Sequence, residues 1–249
     1  MLWRLGPFFV VVFLLASSMM AQAQERLVFA TIENTPNGRI GAVILKEAYG
    51  RLGIEADIYK TSGKRGLLQS SAGVLDGEVV RFKLIGDLHP TLLRVDVPLI
   101  EFAITVFVNQ SDVSEVAVLD LSTLRIGHLA GAVKLAQLTQ GFDDVWKAGS
   151  NTELFGMLAA GHLEAVVSAS VAGRIAAKQL GLKGIEELDP PLERENLYHF
   201  LHEKHAHLVP KLTRVLRHMR ETGELQALID AEITAMMGSV SPALNAEKQ

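Results

Sequence analysis

Three neighbouring runs, Gly50-Arg51-Leu52-Gly53-Ile54, Lys64-Arg65-Gly66-Leu67-Leu68 and Gly73-Val74-Leu75-Asp76-Gly77-Glu78-Val79-Val80-Arg81, decide how this chain is read. Gly53 stands where a helix must stop. Ile40, Val43, Ile44, Ala48 and Leu52 recur before it at helical spacing, and Thr35 with Pro36 supplies a cap and a first-turn residue. After Gly53, the apolar Ile54, Ala56 and Ile58 alternate with Glu55, Asp57 and Tyr59, the period of a strand with one buried face. Ser62 and Gly63 punctuate the start of a second helix over about residues 64–72, Gly73 its end, and a strand over 77–81 follows. Strands alternating with helices make an α/β fold with largely parallel sheets.

The same alternation continues outward. Residues 26–32 form a short apolar strand ahead of the first helix, and residues 95–108 are mostly apolar and too long for a strand of one small sheet. A second run then begins: a strand over 125–129, a helix over 132–140 closed by Gly141, and a strand over 143–146. Ser150 with Glu153 makes a capping box for a helix carrying Leu154, Met157 and Leu158 and ended by Gly161. Residues 163–167 are apolar except for Glu164, and Ser170 is placed to cap the helix carrying Ile175, Ala176 and Leu180 before Gly181. Pro190 and Pro191 open an irregular return, and residues 208–237 are helical with a break near Gly223.

The order of these pieces resembles the bacterial extracellular solute-binding proteins of family 3, the type 2 periplasmic binding proteins of amino-acid ABC transporters. The matching pieces are Leu52-Gly53, Leu75-Asp76-Gly77, Val97-Pro98-Leu99, Leu121-Ser122-Thr123-Leu124-Arg125-Ile126-Gly127, Met157 to Val166 and Met219 to Leu225. The resemblance implies two lobes, each a mainly parallel sheet flanked by helices, with a ligand cleft between them. It places a discontinuous front lobe at residues 24–104 and 201–249 and a rear lobe at 105–200. It further implies capture of a small polar or anionic solute, amino-acid-like or carboxylate, by a monomer that hands it to an ABC transporter permease or to a membrane sensor.

The amino terminus says where the protein works. Arg4 precedes an apolar run from Phe8 to Leu15, and Ala21-Gln22-Ala23 is the small-x-small pattern that signal peptidase cuts, so residues 1–23 read as a signal peptide and the mature chain begins at Gln24. The apolar run is short of the roughly 20 residues a bilayer span needs. There is no cysteine, so no disulfide framework and no lipid-modified cysteine can form, which points to the periplasm. A formal net charge of −4 with scattered basic residues recommends no nucleic-acid partner. An aromatic fraction of 6% argues against a stacking-rich sugar or base site.

Candidate ligand residues follow from position and from the resemblance. Glu78 and Arg81 sit at the carboxyl end of a strand, the edge where open α/β sheets bind ligands, and a guanidinium grips a carboxylate through two parallel bonds. Glu33 ends the first strand on the same edge, and Arg65 lies near the next helix start. In the family, a small hydroxyl residue follows the glycine heading the first rear-lobe helix, and an acid follows the later strand to hold a ligand ammonium. Here Gly131 is followed by Ala132, leaving backbone donors alone, and Ala169 stands at the acid's position between Ser168 and Ser170.

Chemistry beyond binding finds little support. His199, His202, His205 and His207 lie close together, but no Asp or Cys accompanies them, so polar packing is the reading adopted over a zinc site and no metal or cofactor is expected. No cysteine nucleophile and no Gly-x-Ser-x-Gly elbow appears. The alternatives are a dehydratase- or lyase-like enzyme on the same scaffold, with Glu78 or Glu33 as its acid or base, and an interaction module that has lost its ligand.

Overall fold

The computed structural model describes residues 25–113 and 120–238. The expected leader at 1–23 lies outside the described residues.

Strands β1 (Arg26–Ile32), β2 (Glu55–Thr61) and β3 (Gly77–Phe82) alternate with helices α1 (Pro36–Gly50) and α2 (Gly63–Ser71). β1 pairs in parallel with both β2 and β3, as helix crossovers between neighbouring strands require. A short helix α3 (Leu84–Leu88) and strand β4 (Leu92–Arg94) lead to β5 (Ile100–Asn109). The second run is β6 (Arg125–Leu129), α4 (Val133–Leu138), β7 (Asp144–Ala148), α5 (Asn151–Ala159), β8 (Ala165–Ala169) and α6 (Ser170–Gln179). β9 (Ile185–Glu187) and β10 (Glu193–His202) return the chain to α7 (Val209–Glu221) and α8 (Glu224–Gly238).

All strands join one mixed sheet whose main path runs β2-β1-β3-β10-β5-β8-β6-β7. The two long strands make the joint. β5 pairs with β10 through residues Ile100 to Ile104 and with β8 through Ile104 to Phe107. β10 pairs with β5 up to Leu197 and with β3 from Leu197 to Leu201. Each strand therefore leaves one set of partners and joins the other at a single residue. The sequence predicts an irregular return opened by Pro190 and Pro191; the observed strand hides there because Glu193, Arg194, Glu195 and Asn196 are polar and only its second half is buried. The expected strand over 95–108 starts later, at Ile100, although Val95 N and Leu99 N already bond to the carbonyls of His199 and Leu197.

The cores explain the grouping. One cluster joins Ile40, Ile44, Leu45 and Tyr49 of α1 to Phe29 and Val79 of the sheet, and to Leu212, Leu216, Met219 and Met236 from the last two helices. Side chains of this kind contribute roughly 1.5–3 kcal/mol each when fully buried. Two further clusters, around Ile126 with Leu135 and around Phe155 with Leu158, cover the two faces of the β6–β8 sheet. Helix α8 is tied to α1 by the ion pairs Arg39–Glu232 and Arg51–Glu224.

Candidate functional site

A cavity of about 930 Å³ opens between the two sets of elements. Its walls come from the β1–α1 turn, from β5 at Glu101, Phe102 and Ala103, from the start of α6, and from the exposed face of α8. Both helix starts that reach it are built by local sequence. Asn34 takes φ 58°, a left-handed value that Asn tolerates better than most residues, and this turns the chain off β1 into the helix. Thr35 then caps α1, its hydroxyl accepting from Gly38 N at 3.3 Å and donating to Ile32 O at 2.9 Å.

Helix α6 begins differently. The expected cap, Ser170, is already the first helical residue; the N-cap is Ala169, which has no side-chain acceptor. The first-turn amides of α6 therefore have no side-chain cap, and Ser170, Val171 and Ala172 all line the cavity. Charge in the walls is mostly internal. Arg194 bonds Glu101 at 2.6 Å and approaches Asp189 at 3.4 Å, and Arg174 lies 3.7 Å from Glu187. Asp230 on α8 adds a carboxylate that accepts from Gln226 Nε2 at 2.9 Å, so the lining acids outnumber the lining arginines.

The residues favoured by sequence scatter. Ser170 lines this cavity. Gly131, at φ 76°, and Ala132 line a smaller one of about 390 Å³ with His128 and Lys147. Glu33 and Arg65 are exposed and border neither cavity, and Ser168 is buried with its hydroxyl 3.4 Å from Asn151 Oδ1. Glu78 and Arg81 are buried against each other: Arg81 Nε donates to Glu78 Oε2 at 2.7 Å and its Nη2 to Gly63 O at 3.0 Å, while Ser70 Oγ donates to Glu78 Oε1 at 3.0 Å. Burial raises the Glu78 carboxyl above its usual range, opposed by Arg81 and Ser70. Desolvating an arginine beside an unpaired acid is so costly that the two pair rather than face the cleft.

The histidines take separate partners. His199 is fully buried, with Nδ1 donating to Glu78 O at 2.7 Å and Nε2 accepting from Tyr49 OH at 2.9 Å, a neutral tautomer fixed by the carbonyl. Burial pushes its pKa down to about 4. His205 Nε2 lies 2.7 Å from Asp76 Oδ1, and His202 Nδ1 accepts from Lys204 N at 3.2 Å. Among the described residues no group of three or more His, Cys, Asp or Glu is arranged to hold a metal ion.

Asn34, Asn151, Arg174 and Arg194 line the cavity and were not legible as site residues. Only the double proline ahead of Arg194 signalled an unusual path there.

No family model and no curated protein matches this sequence. Solved structures do match its shape. The amino acid ABC transporter substrate-binding protein AbpA from Streptococcus pneumoniae, bound to L-arginine, superposes with a TM-score of 0.61 at 16% identity over 87% of this chain and 98% of its own. The fold is that of the two-lobed solute-binding proteins. The probable amino-acid ABC transporter extracellular-binding protein YtmK from Bacillus subtilis matches with a TM-score of 0.68 at 16% identity, over 82% of this chain and 95% of its own. The ancestral amino-acid-binding protein AncCDT-1, a precursor of cyclohexadienyl dehydratase, matches with a TM-score of 0.59 at 15% identity, over 84% and 94%. β5 and β10 are the strands through which the β1–β3 and β6–β8 parts of the sheet join, and the 930 Å³ cavity is lined from both parts.

Proposed function

We propose that this chain is an exported solute-binding protein that closes on a small polar solute in the cleft between its lobes. The observation that carries the reading is the convergence of two helix N-termini, α1 from one lobe and the uncapped α6 from the other, on one cavity bordered by a joining strand. The free amides of α6 suit a carboxylate, and the excess of lining acids suits an ammonium, so an amino-acid-like zwitterion matches the walls better than a plain anion. The division we propose is a front lobe of residues 24–104 with 201–249 and a rear lobe of 105–200. It is supported by the clusters around Ile126 and Phe155, whose buried members lie within 105–200 apart from Ile104, while Ile175 and Leu197 reach into the front cluster. Export rests on the leader pattern at Ala21-Gln22-Ala23, and no helix among the described residues is long and apolar enough to cross a membrane. The receiver of the closed form is an ABC transporter permease or a membrane sensor. An enzyme on this scaffold needs an acid or base in the cleft; Glu78 and Glu33 do not line it, whereas the carboxylates of Glu101, Glu187, Asp189 and Asp230 do.

The test is a thermal-shift screen of the mature chain against amino acids, small carboxylates and amines. A ligand that binds only the folded state at 100 times its Kd stabilises it by about 2.7 kcal/mol. A saturable shift with an amino acid supports the reading. A shift with carboxylates alone replaces the zwitterion by an anion, and no shift from any class overturns solute capture.

A further inference from the structure

The cleft sorts its lining residues by depth. Among the described residues every exposed side chain that lines it is polar, and six of these are charged: Glu101, Arg174, Glu187, Asp189, Arg194 and Asp230. Five of the six pair with one another and Asp230 accepts from Gln226, so the charge stays at the mouth. The lining residues that are fully buried are Ile40 of α1 and Ile100 of β5, at 0% and 3% exposure. Between rim and floor runs one face of α8. Ile229, Ile233 and Met237 stand four residues apart on it, half-buried against the cluster that contains Ile40. Gln226, Asp230 and Thr234 form the neighbouring exposed row, so α8 turns its apolar row inward.

We infer that the solute held in this cleft carries an apolar arm, aliphatic or aromatic, which lies against α8 and the Ile40–Ile100 floor while its charged head stays near the rim. A charged arm directed at the floor would give up its hydration without finding a buried counter-ion, a heavy cost. An apolar arm gains there, since each methylene removed from water adds to the affinity. Space allows both parts: the cavity of about 930 Å³ lies near the top of the roughly 300–1,000 Å³ range of ligand pockets. Asn37, Asn151 and Ser170 line it at intermediate depth, neutral groups that suit the hydrogen bonds of the head. The substrate class is thus an amphipathic zwitterion, and Ile229, Ile233 and Met237 set the preference for its arm. This deepens the solute-capture reading and rests on it.

The test is calorimetric titration of the mature chain with a graded series: alanine, 2-aminobutyrate, norvaline and norleucine, then phenylalanine, arginine and glutamate. Affinity rises about fourfold with each added methylene from alanine to norleucine. Phenylalanine binds at least as tightly as norleucine, and arginine and glutamate bind about tenfold more weakly than norleucine or worse. Ile233→Gln lowers the norleucine affinity about tenfold and leaves that of alanine nearly unchanged. Met237→Gln, close to the end of α8, repeats the comparison with less demand on packing, and circular dichroism confirms that both variants are folded. A flat series, or arginine or glutamate as the tightest binder, overturns the apolar arm and leaves solute capture standing. A norleucine affinity that both variants leave intact also overturns it. The carboxylates from acetate to hexanoate are titrated in parallel: affinity that climbs with their length while the amino acids fail replaces the zwitterion and keeps the arm. No binding from either series overturns both the arm and solute capture.

Discussion

Arg81 Nε donates to Glu78 Oε2 at 2.7 Å with both side chains buried, and the pair is sealed by Ser70 on one side and by the Gly63 carbonyl on the other. The arrangement fastens the start of α2 to the end of β3. Gly66 packs closely above it: a Cβ there would lie 3.2 Å from Glu78 Oε1 and 3.3 Å from Arg81 Nη2, contacts that the pair must ease by a few tenths of an ångström.

Arg81→Ala therefore acts on folding. It leaves a buried carboxylate without its cation, and such a loss costs about 3–5 kcal/mol. Replacing Glu78 by Gln at the same time recovers part of that cost, because no charge is then stranded. Urea unfolding of the two variants decides it: equal stability of Arg81→Ala and parent returns the arginine to a solvent-facing role.

His199 gives the fold an acid limit. Its pKa is about 4 in the folded chain against an ordinary 6.5, so the unfolded chain takes up the proton first. The stabilisation from the neutral ring is complete above about pH 6.5 and is lost as pH falls from there to about 4, a change on the order of 2–3 kcal/mol. Glu78 works in the opposite sense as pH rises, since its carboxyl is held above its usual range. Ring resonances of His199 followed by NMR separate the two, and a ring that titrates at the ordinary value would contradict the burial.

Gly77→Ala breaks the seam between β3 and β10. A Cβ at this position would lie 2.0 Å from the Phe200 carbonyl oxygen, and backbone cannot step aside as a flexible side chain can. A loss of about 2 kcal/mol or more is expected, in the upper part of the range for overpacking. Calorimetric melting of the variant checks it, and a melting point within one degree of the parent would mean that the strands part easily.

Ala172→Trp fills the cleft without touching a core. Ala172 lines the cavity in the first turn of α6, so the indole occupies space meant for solute. The melting temperature without solute stays near that of the parent while the shift given by any hit from the screen disappears. A retained shift places the binding site elsewhere.

Much of the fold was legible because its signals are local. Thr35 and Ser150 accept from amides three residues on, at 3.3 and 3.1 Å, as their spacing predicts, although Glu153 returns its bond to Gly149 N rather than to Ser150. Gly53, Gly141, Gly161, Gly181 and Gly223 all take positive φ at helix ends. Tertiary partners were not legible. Arg81 read as a ligand residue because the Gly63 carbonyl that holds it comes from another element, and Ser170 read as a cap because nothing in the sequence says that β8 runs straight into α6. Glu193 and Glu195 conceal a strand, since their side chains answer to Lys134 and not to a core. The cleft residues Asn34 and Arg194 depend on a turn and a return path that alternation of polarity does not encode.

The shared cluster of Ile40, Ile44, Leu212, Leu216 and Met219 has a consequence for synthesis. A nascent chain that has emerged only as far as β10 has made β1 to β4 and α1 but not the last two helices that complete their core. That core waits for the last part of the polypeptide. The clusters around Ile126 and Phe155 can thus close first, and the one around Phe29 and Ile40 closes only when the final helices arrive.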